Sequence, residues 1–494
     1  MTGAPTQPTQ PIELTGHGER LAGVRVPVDA EVLARLGAVC ETLIAPDVLA
    51  EASRDWWPLA LHWALAGEVP AAAAALCRPT SADQVAAILR LANDERIPVT
   101  PAGGRSGVCG ASVPVCGGIL LDLTAMQGVE SIDETSLVAE VLPGTFGPDY
   151  EAHLRDHGFT GGHWPQSMDI STVGGWIACR GAGQYSTRYG KIEDMVVGLE
   201  VALADGRLIR TGGAPRAAVG PDLSQLFVGA EGTLGVITRA WLRIHPAPVA
   251  ERRAAVAFAT FEAGLTACRR ILHRGATPAV LRLYDGPESA RSHGTDGADC
   301  VLLVLDEGDR LIVDATMAVV AEECEAARPL DVELVDRWMH HRNDTSALQG
   351  LTRKGFVVDT MEIAAPWGAL ARIFDETRIA LLAVPHSRAA TCHLSHSYSD
   401  GACLYFTFAA TPPAEEVEST YVALWDAGTR AVLGAGGNLS HHHGIGLNRS
   451  RFAAEALGPA HAVLGAVKAA LDPAGVLNPG KLGLRSPFGE VPWP

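Results

Sequence analysis

No cysteine in the 494-residue chain stands three residues from another, and the ten that occur are scattered singly from Cys40 to Cys403. That pattern excludes the even framework of a small disulfide-stapled module and fits reduced thiols, hence a cytoplasmic protein. Long apolar runs are missing too. Stretches such as Val69 to Cys77 are about half of the ~20 residues that cross a bilayer, so no integral membrane segment is expected. The N-terminus, MTGAPTQPTQPIELTG, has neither a basic n-region nor an apolar h-region, so no secretory leader is expected. Charge is sparse, at 19% of residues, and one-sided: Lys+Arg 39 against Asp+Glu 56 leaves a net charge of -17. Such a surface repels phosphate backbones and anionic lipid, which disfavours nucleic acid as a partner. Neither a P-loop lysine nor a G-x-G-x-x-G fingerprint is present.

What remains is a globular, enzyme-sized composition. Hydrophobic residues make up 47%, and Gly 53 with Pro 31 shows no collagen period. Residues 1–11 are Thr/Gln/Pro-rich and expected to be disordered. The divisions expected after them are a helical segment over 12–70, a cofactor domain over 71–250, a cap over 251–430 and a C-terminal helical segment over 431–494. Ser81 with Gln84 predicts a capping box. Val85, Ile88, Leu89 and Ala92 then fall on one face of a helix running to about Glu95. From about Ala254 the pattern reads β-α-β-β-α-β, with strand DVELV (331–335) closing a ferredoxin-like motif. In its second helix Leu311, Ala315, Ala318 and Val319 share a face. A single helix is expected over Ala453 to Leu471.

Three glycine tracts stand out. The first, Gly103-Gly-Arg-Ser-Gly-Val-Cys-Gly110, follows a short β-branched strand; its backbone N–H groups can turn toward an anion, and Arg105 and Ser106 can add hydrogen bonds. The second is Pro165-Gln-Ser-Met-Asp-Ile-Ser-Thr-Val-Gly-Gly175 with Cys179-Arg-Gly-Ala-Gly183. The third is Gly229-Ala-Glu-Gly-Thr-Leu-Gly-Val-Ile237. Converging, they suit an elongated dinucleotide.

The PAGGRSG loop, the STVGG and YGKIED segments, the GAEGTLGVI tract and the terminal NPGK turn, taken in order and spacing, resemble the vanillyl-alcohol-oxidase/PCMH flavoprotein family from about Ile12 to Leu482. Within it, IELTG, PQSMDISTVGGW and SHHHGIG resemble the alkylglycerone-phosphate-synthase branch of FAD-linked oxidases. The resemblance implies an α+β protein, with a two-part PCMH-type FAD-binding domain and a ferredoxin-like α+β cap. It implies FAD, bound without a covalent tether, although Cys109 occupies the place from which some relatives anchor the flavin. By the same resemblance FAD contacts come from Pro101, Ala102, Gly103, Gly104, Arg105, Ser106 and Gly107. Further contacts are Pro165, Gln166, Ser167, Met168, Asp169, Ile170 and Ser171, then Ala178, Cys179, Arg180 and Gly181. The third tract adds Glu231, Gly232, Thr233, Leu234, Gly235, Val236 and Ile237.

Proton chemistry is expected in the C-terminal half. Ser440-His-His-His-Gly-Ile-Gly446 sets three imidazoles among glycines, and neutral imidazole accepts a proton near pH 7. Consecutive residues diverge, so at most two of His441, His442 and His443 face one site. Cys392 to Phe406 adds His393, His396 and Tyr405, and strand alternation turns Cys403, Tyr405 and Thr407 away from the apolar face of Leu404, Phe406 and Phe408. Related D-2-hydroxyacid dehydrogenases hold a divalent metal with two histidines and a glutamate here. Tyr405 and His442 stand at two of those places, which implies proton transfer by Tyr405 and no bound metal. An arginine of the ether-lipid branch is replaced by Leu348, with Arg353 five residues on, whereas Arg282 matches a family arginine of the cap.

The expected function is FAD-dependent oxidoreduction of a small hydroxylated or carbonyl-containing organic substrate, with an unidentified electron acceptor. A non-redox acyl-to-alkoxy transferase and a flavin binder without turnover are the alternatives. A homodimer stays open.

Overall fold

The computed structural model describes residues 12–21, 23–344, 346–491 and 493, without the side chains of residues 346 and 347. The stretch expected to be disordered, 1–11, lies outside the described residues. Two sheets build the N-terminal half. The first runs Glu41–Leu43, Ala75–Arg78, Ile119–Asp122, Val99–Ala102, with the last three strands parallel. Ile119 through Asp122 are all buried, as a strand covered on both faces requires. The helix Ala82–Glu95 packs on it through Val85, Ile88, Leu89 and Ala92. Ser81 Oγ accepts the Gln84 N–H at 3.3 Å, while Gln84 Oε1 takes the N–H of Thr80 rather than of Ser81, at 2.7 Å.

The second sheet is antiparallel: Leu208–Gly212, Val196–Ala202, Val236–Arg243, Val138–Val141, Val129–Asp133. It buries a core that includes Trp176, Met168 and Leu234. The cap is a seven-stranded antiparallel sheet ordered Arg328–Pro329, Ala250–Phe258, Cys300–Gly308, Val280–Tyr284, Ser387–Ser397, Gly401–Ala410, Val357–Pro366. In its first four strands the chain's fourth flanks its first and the third separates first from second, which is the ferredoxin-like order. No helix among the described residues is long and apolar enough to cross a membrane.

Three expected elements differ. Residues 331–335 are not a strand; the closing strand is Arg328–Pro329, and Glu333–His341 is a helix. Asp331 accepts the Glu333 N–H at 2.9 Å and starts it, and Leu334, Val335 and Trp338 bury one side at helical spacing. In the helix Arg310–Glu323 the buried face is Val313, Thr316 and Val320, and Leu311 is 78% exposed. Asp309 caps Leu311 N–H at 2.9 Å, which leaves Leu311 in the outward first turn. The expected helix over Ala453 to Leu471 is two, Ser450–Leu457 and Ala460–Leu471, broken where Gly458 takes φ 53° ahead of Pro459.

Candidate active site

A cavity of about 800 Å³ lies between the N-terminal half and the cap, near the upper end of the roughly 300–1,000 Å³ usual for ligand clefts. The three glycine tracts form one wall. All of Pro101 to Gly107 line it, with Pro165, Gln166, Ser167, Ile170, Ser171, Ala178, Cys179 and Gly181, and with Glu231, Gly232, Gly235, Val236 and Ile237. The tracts interlock because they are glycine: a Cβ on Gly103 would overlap Thr172 Oγ1, one on Gly104 the Ile170 carbonyl, and one on Gly232 would come 2.8 Å from Pro101 Cγ.

Five expected contacts are not on this wall. Met168 and Leu234 are core residues, Asp169 is exposed, Arg180 pairs with Glu193 at 3.2 Å, and Thr233 donates to the Ala230 carbonyl at 2.7 Å. Arg105 lines the cavity, but its Nη1 is spent on the buried Asp122 at 3.2 Å. A residue the sequence reading missed is His163. Both its ring nitrogens are buried without a partner, it lines the cavity, and burial, then Lys191, lowers it to about 3. An orphaned polar side chain aimed into a glycine-walled cleft fits a polar, elongated ligand. Cys109 also lines the cavity, and burial pushes its thiol well up.

The opposite wall is the cap sheet. Glu362, Tyr405, His393 and Tyr284 stand in one cross-strand row, so their side chains share the face toward the cavity. Leu404, Phe406 and Phe408 face the other way and are fully buried in the cap core. Tyr405 donates to Thr360 Oγ1 at 3.0 Å, and burial pushes its phenol up. The His393 ring stacks on it, centroids 4.8 Å apart. His393 Nε2 accepts from Arg282 Nη2 at 2.6 Å, which assigns the proton to Nδ1, 2.9 Å from Glu288 Oε1. Burial, then Arg282, lowers His393 to about 4, so the ring is neutral at pH 7. His442 and His443 flank the other side of Tyr405, with ring centroids 6.1 and 5.6 Å away. The phenol itself donates to Thr360 rather than to either of these imidazoles.

Behind His442 runs a hydrogen-bonded chain. His442 Nδ1 meets His441 Nδ1 at 2.9 Å, His441 Nε2 meets the Tyr398 hydroxyl at 3.0 Å, and Ser186 Oγ joins Tyr398 at 3.1 Å to His396 Nδ1 at 2.8 Å. His396 and His442 line the cavity, whereas His441 is turned into the chain. Burial lowers all three well below the usual imidazole range. Their ring nitrogens lie within 4.8 Å of one another, a spacing that could hold a metal, without a carboxylate.

The loop holding these imidazoles has neither helix nor strand; two buried carboxylates fix it. Glu362 Oε1 accepts from Ser440 Oγ and from the backbone N–H of His441, His442 and His443 at 2.6, 3.2, 2.9 and 2.7 Å. Its Oε2 pairs with Arg449 and lies 3.3 Å from His443 Nδ1. Burial alone would raise the Glu362 carboxyl, but Arg449 and then His443 hold it well below the usual carboxylate range. Glu231 takes the Ile445 and Gly446 N–H groups at 2.6 and 2.9 Å, coupling the third glycine tract to the same loop. In the NPGK turn, Asn478 Nδ2 donates to the Glu231 and Ala111 carbonyls. Glu362 left a faint signal, an acid in an otherwise apolar stretch, whereas Glu288 stands among polar residues; neither was singled out. Arg337, Trp338, His341 and Arg342 also line the cavity and were missed with the helix that carries them, while Leu348 lines it and Arg353 does not.

The comparisons agree with this architecture. The FAD binding domain family matches residues 73–212, and the family described as FAD linked oxidases, C-terminal domain, matches residues 247–482. The Escherichia coli (strain K12) protein "Uncharacterized FAD-linked oxidoreductase YgcU" is 32% identical over 432 residues, 83% of this chain and 88% of that protein. Alkyldihydroxyacetonephosphate synthase of Trypanosoma brucei brucei is 30% identical over 469 residues, 85% of this chain and 74% of that protein. A solved alkyldihydroxyacetonephosphate synthase superposes with a TM-score of 0.77 at 24% identity, covering 94% of this chain and 89% of that one, a likeness of fold.

Proposed function

The chain belongs to the FAD-linked oxidoreductases, with FAD as its cofactor, and on that premise we propose that it acts on a small hydroxylated or carbonyl-containing organic molecule seated between the cap sheet and the flavin. Tyr405 and the His441–His443 loop handle its protons. The observation that carries this reading is the cross-strand row: a phenol beside the neutral rings of His393 and His442 faces the glycine-walled cavity.

Bound FAD supplies a two-electron acceptor. The residues present fit it: Pro101–Gly107, the second tract and Glu231–Ile237 make its wall, and His163 offers two unpartnered nitrogens. A thiol kept protonated by burial is a poor nucleophile, so Cys109 leaves the flavin untethered. The chain's own work is proton transfer. Tyr405 holds its proton against Thr360 at rest. To act as a base toward a substrate hydroxyl, the phenol passes that proton to an imidazole, His442 or His443, as it takes the new one. Through His441, Tyr398 and Ser186 the proton at His442 has a path to His396, which also faces the cavity. Each nitrogen of His441 is already engaged, so the cluster works without a divalent ion; chelation is expected to leave turnover unchanged, and stoichiometric metal with loss of turnover would reverse this.

Tyr405→Phe keeps the ring and removes the hydroxyl. Turnover is expected to fall by ~10²–10⁴ at unchanged flavin content. Near-wild-type turnover in fully loaded Tyr405→Phe would overturn the assignment. A second reading, exchange of an acyl for an alkoxy group, draws on the 30% identity to an alkyldihydroxyacetonephosphate synthase. Anaerobic mixing with candidate substrates separates them: net bleaching of the flavin supports oxidoreduction, and a spectral change without net bleaching supports transfer.

A further inference from the structure

Two cysteines distant in sequence meet at the edge of the first sheet. Glu41–Leu43 is the outer strand of that sheet and runs antiparallel to Ala75–Arg78, with Thr42 opposite Cys77. Cys40 is extended and stands two residues before Thr42, and side chains two apart along an extended chain share a face. Both thiols therefore turn toward one core, which holds Cys77 and has Cys40 packed against it. Thr42 Oγ1 lies 3.8 Å from Cys77 Sγ and donates to the Cys40 carbonyl at 3.3 Å, and the two thiols hydrogen-bond each other.

The two sulfurs are unequal. Cys77 is fully buried, whereas Cys40 is half-buried and its Sγ reaches the Glu41 carbonyl at 3.4 Å on the exposed side. The Cys77 hydrogen bond lowers the Cys40 thiol to about 7 against partial burial, and Thr42 adds to the lowering; the same bond, then burial, pushes Cys77 up. At neutral pH one sulfur is thus partly thiolate and open to solvent, with a protonated sulfur beside it. No other cysteine combines these features. Cys179, the other one not fully buried, is pushed up to about 12 by burial and stands on the cavity wall, and Cys109, Cys268 and Cys392 are buried and pushed well up.

We propose that Cys40 and Cys77 are an oxidation site, which a hydroperoxide converts to a disulfide across the sheet edge. The Cys40 thiolate attacks one peroxide oxygen; the O–O bond breaks, an alcohol or water departs with a proton, and a sulfenic acid remains on Cys40. The Cys77 sulfur then attacks that sulfur, and its proton leaves with the expelled hydroxide as water. Two thiols and one peroxide become one disulfide, one alcohol or water, and one further water. Closure asks for side-chain rotation and a small shift of a strand that, among the described residues, has no strand on its outer side. The bond ties the end of the helix Ala30–Val39 to the strand of Arg78. Arg78 shares the buried Asp122 with Arg105 of the first glycine tract, at 3.3 and 3.2 Å, so the clamp lies one ion-pair step from the cleft. The site needs no premise about the substrate and stands apart from the assignment of Tyr405.

The test titrates reductant-free, FAD-loaded protein with hydrogen peroxide at pH 7, alkylates it with iodoacetamide under denaturing conditions and counts free thiols by intact mass. Two of the ten thiols are expected to disappear together at the lowest effective dose, with peptide mapping placing the bond between Cys40 and Cys77 and dithiothreitol restoring both. In Cys77→Ala the reaction should stop at the sulfenic acid, seen as one dimedone adduct on Cys40, and in Cys40→Ser no thiol should be lost at that dose. Unchanged flavin content and melting midpoint under reductant show that each variant keeps the fold; should Cys77→Ala fail to fold, Cys40→Ser against wild type carries the test. Equal thiol loss in Cys40→Ser and wild type, closure of another pair while Cys40 is still alkylated, or no loss at a dose that oxidises free cysteine overturns the site.

Discussion

The two walls of the cavity are made of different materials. The glycine-tract wall is backbone: three tracts interlock where Gly103, Gly104 and Gly232 leave no room for a Cβ against Thr172, Ile170 and Pro101. The cap wall is side chains, a row on the cap sheet facing a loop with no regular structure, held by Glu362 and Glu231. A backbone wall tolerates little substitution. A side-chain wall is tunable, one residue at a time, but it depends on a few buried charges.

The largest effect should come from breaking the backbone wall. Gly104→Asp drives a carboxylate into the Ile170 carbonyl, so both the tract junction and the cleft for the cofactor are lost. The protein is expected colourless or insoluble, read from the flavin-to-protein absorbance ratio. A yellow, fully loaded Gly104→Asp would show that the tracts can separate and still hold FAD.

The contrast explains what the sequence could reveal. Glycines declare a backbone requirement in their own letters, and Ser81 with the 85, 88, 89, 92 spacing declares a helix; both readings stand in the structure. Tyr405 was legible because alternation alone sends it away from Phe406 and Phe408. The helix Glu333–His341 was not. VELV is too short to separate period 2 from period 3.6, and the signals that decide it, Asp331 as cap and Trp338 a turn on, lie outside that window. With it went Arg337 and Arg342. Glu362 was illegible for another reason: its partners are backbone N–H groups about eighty residues away, and a hydrogen bond to backbone leaves no mark on the partner's sequence.

Glu362→Gln should break the other wall next. It strands Arg449, fully buried, without its counter-charge, a loss of about 3–5 kcal/mol by the usual cost of halving a buried pair. Denaturant titration should show this, with flavin content unchanged because the glycine tracts keep their own junctions. Equal stability to wild type would mean that the loop is held by Glu231 and packing alone.

Acid should strain both walls together. Burial lowers His163 to about 3 on one wall and His393 to about 4 on the other, below the ~6.5 of an unfolded histidine. Between about pH 6.5 and 4 the unfolded chain therefore binds protons that the folded chain refuses, so stability falls as pH drops through that window. Asp55 has the opposite sign. Burial raises it to about 7, so its contribution fades as pH rises from about 4 to 7. Melting curves followed by flavin fluorescence should give lower midpoints at pH 5 than at pH 7. His163→Phe should flatten part of that limb, and a limb unchanged by it would assign acid sensitivity to the cap wall.

The smallest effect asked of the comparison is at Thr360. Valine copies its shape and removes only the oxygen that accepts the Tyr405 proton. A neutral hydrogen bond of this kind is worth about 0.5–1.5 kcal/mol, so Thr360→Val should change kcat by no more than roughly ten-fold, with flavin content and KM kept. The freed phenol can then swing toward His442 or His443, whose rings already flank it. If Thr360 merely parks the resting proton, its loss leaves most of the turnover that Tyr405→Phe removes. A fall as deep as that of Tyr405→Phe would mean that the hydroxyl of Thr360 carries the proton itself and that the imidazoles only shape the wall.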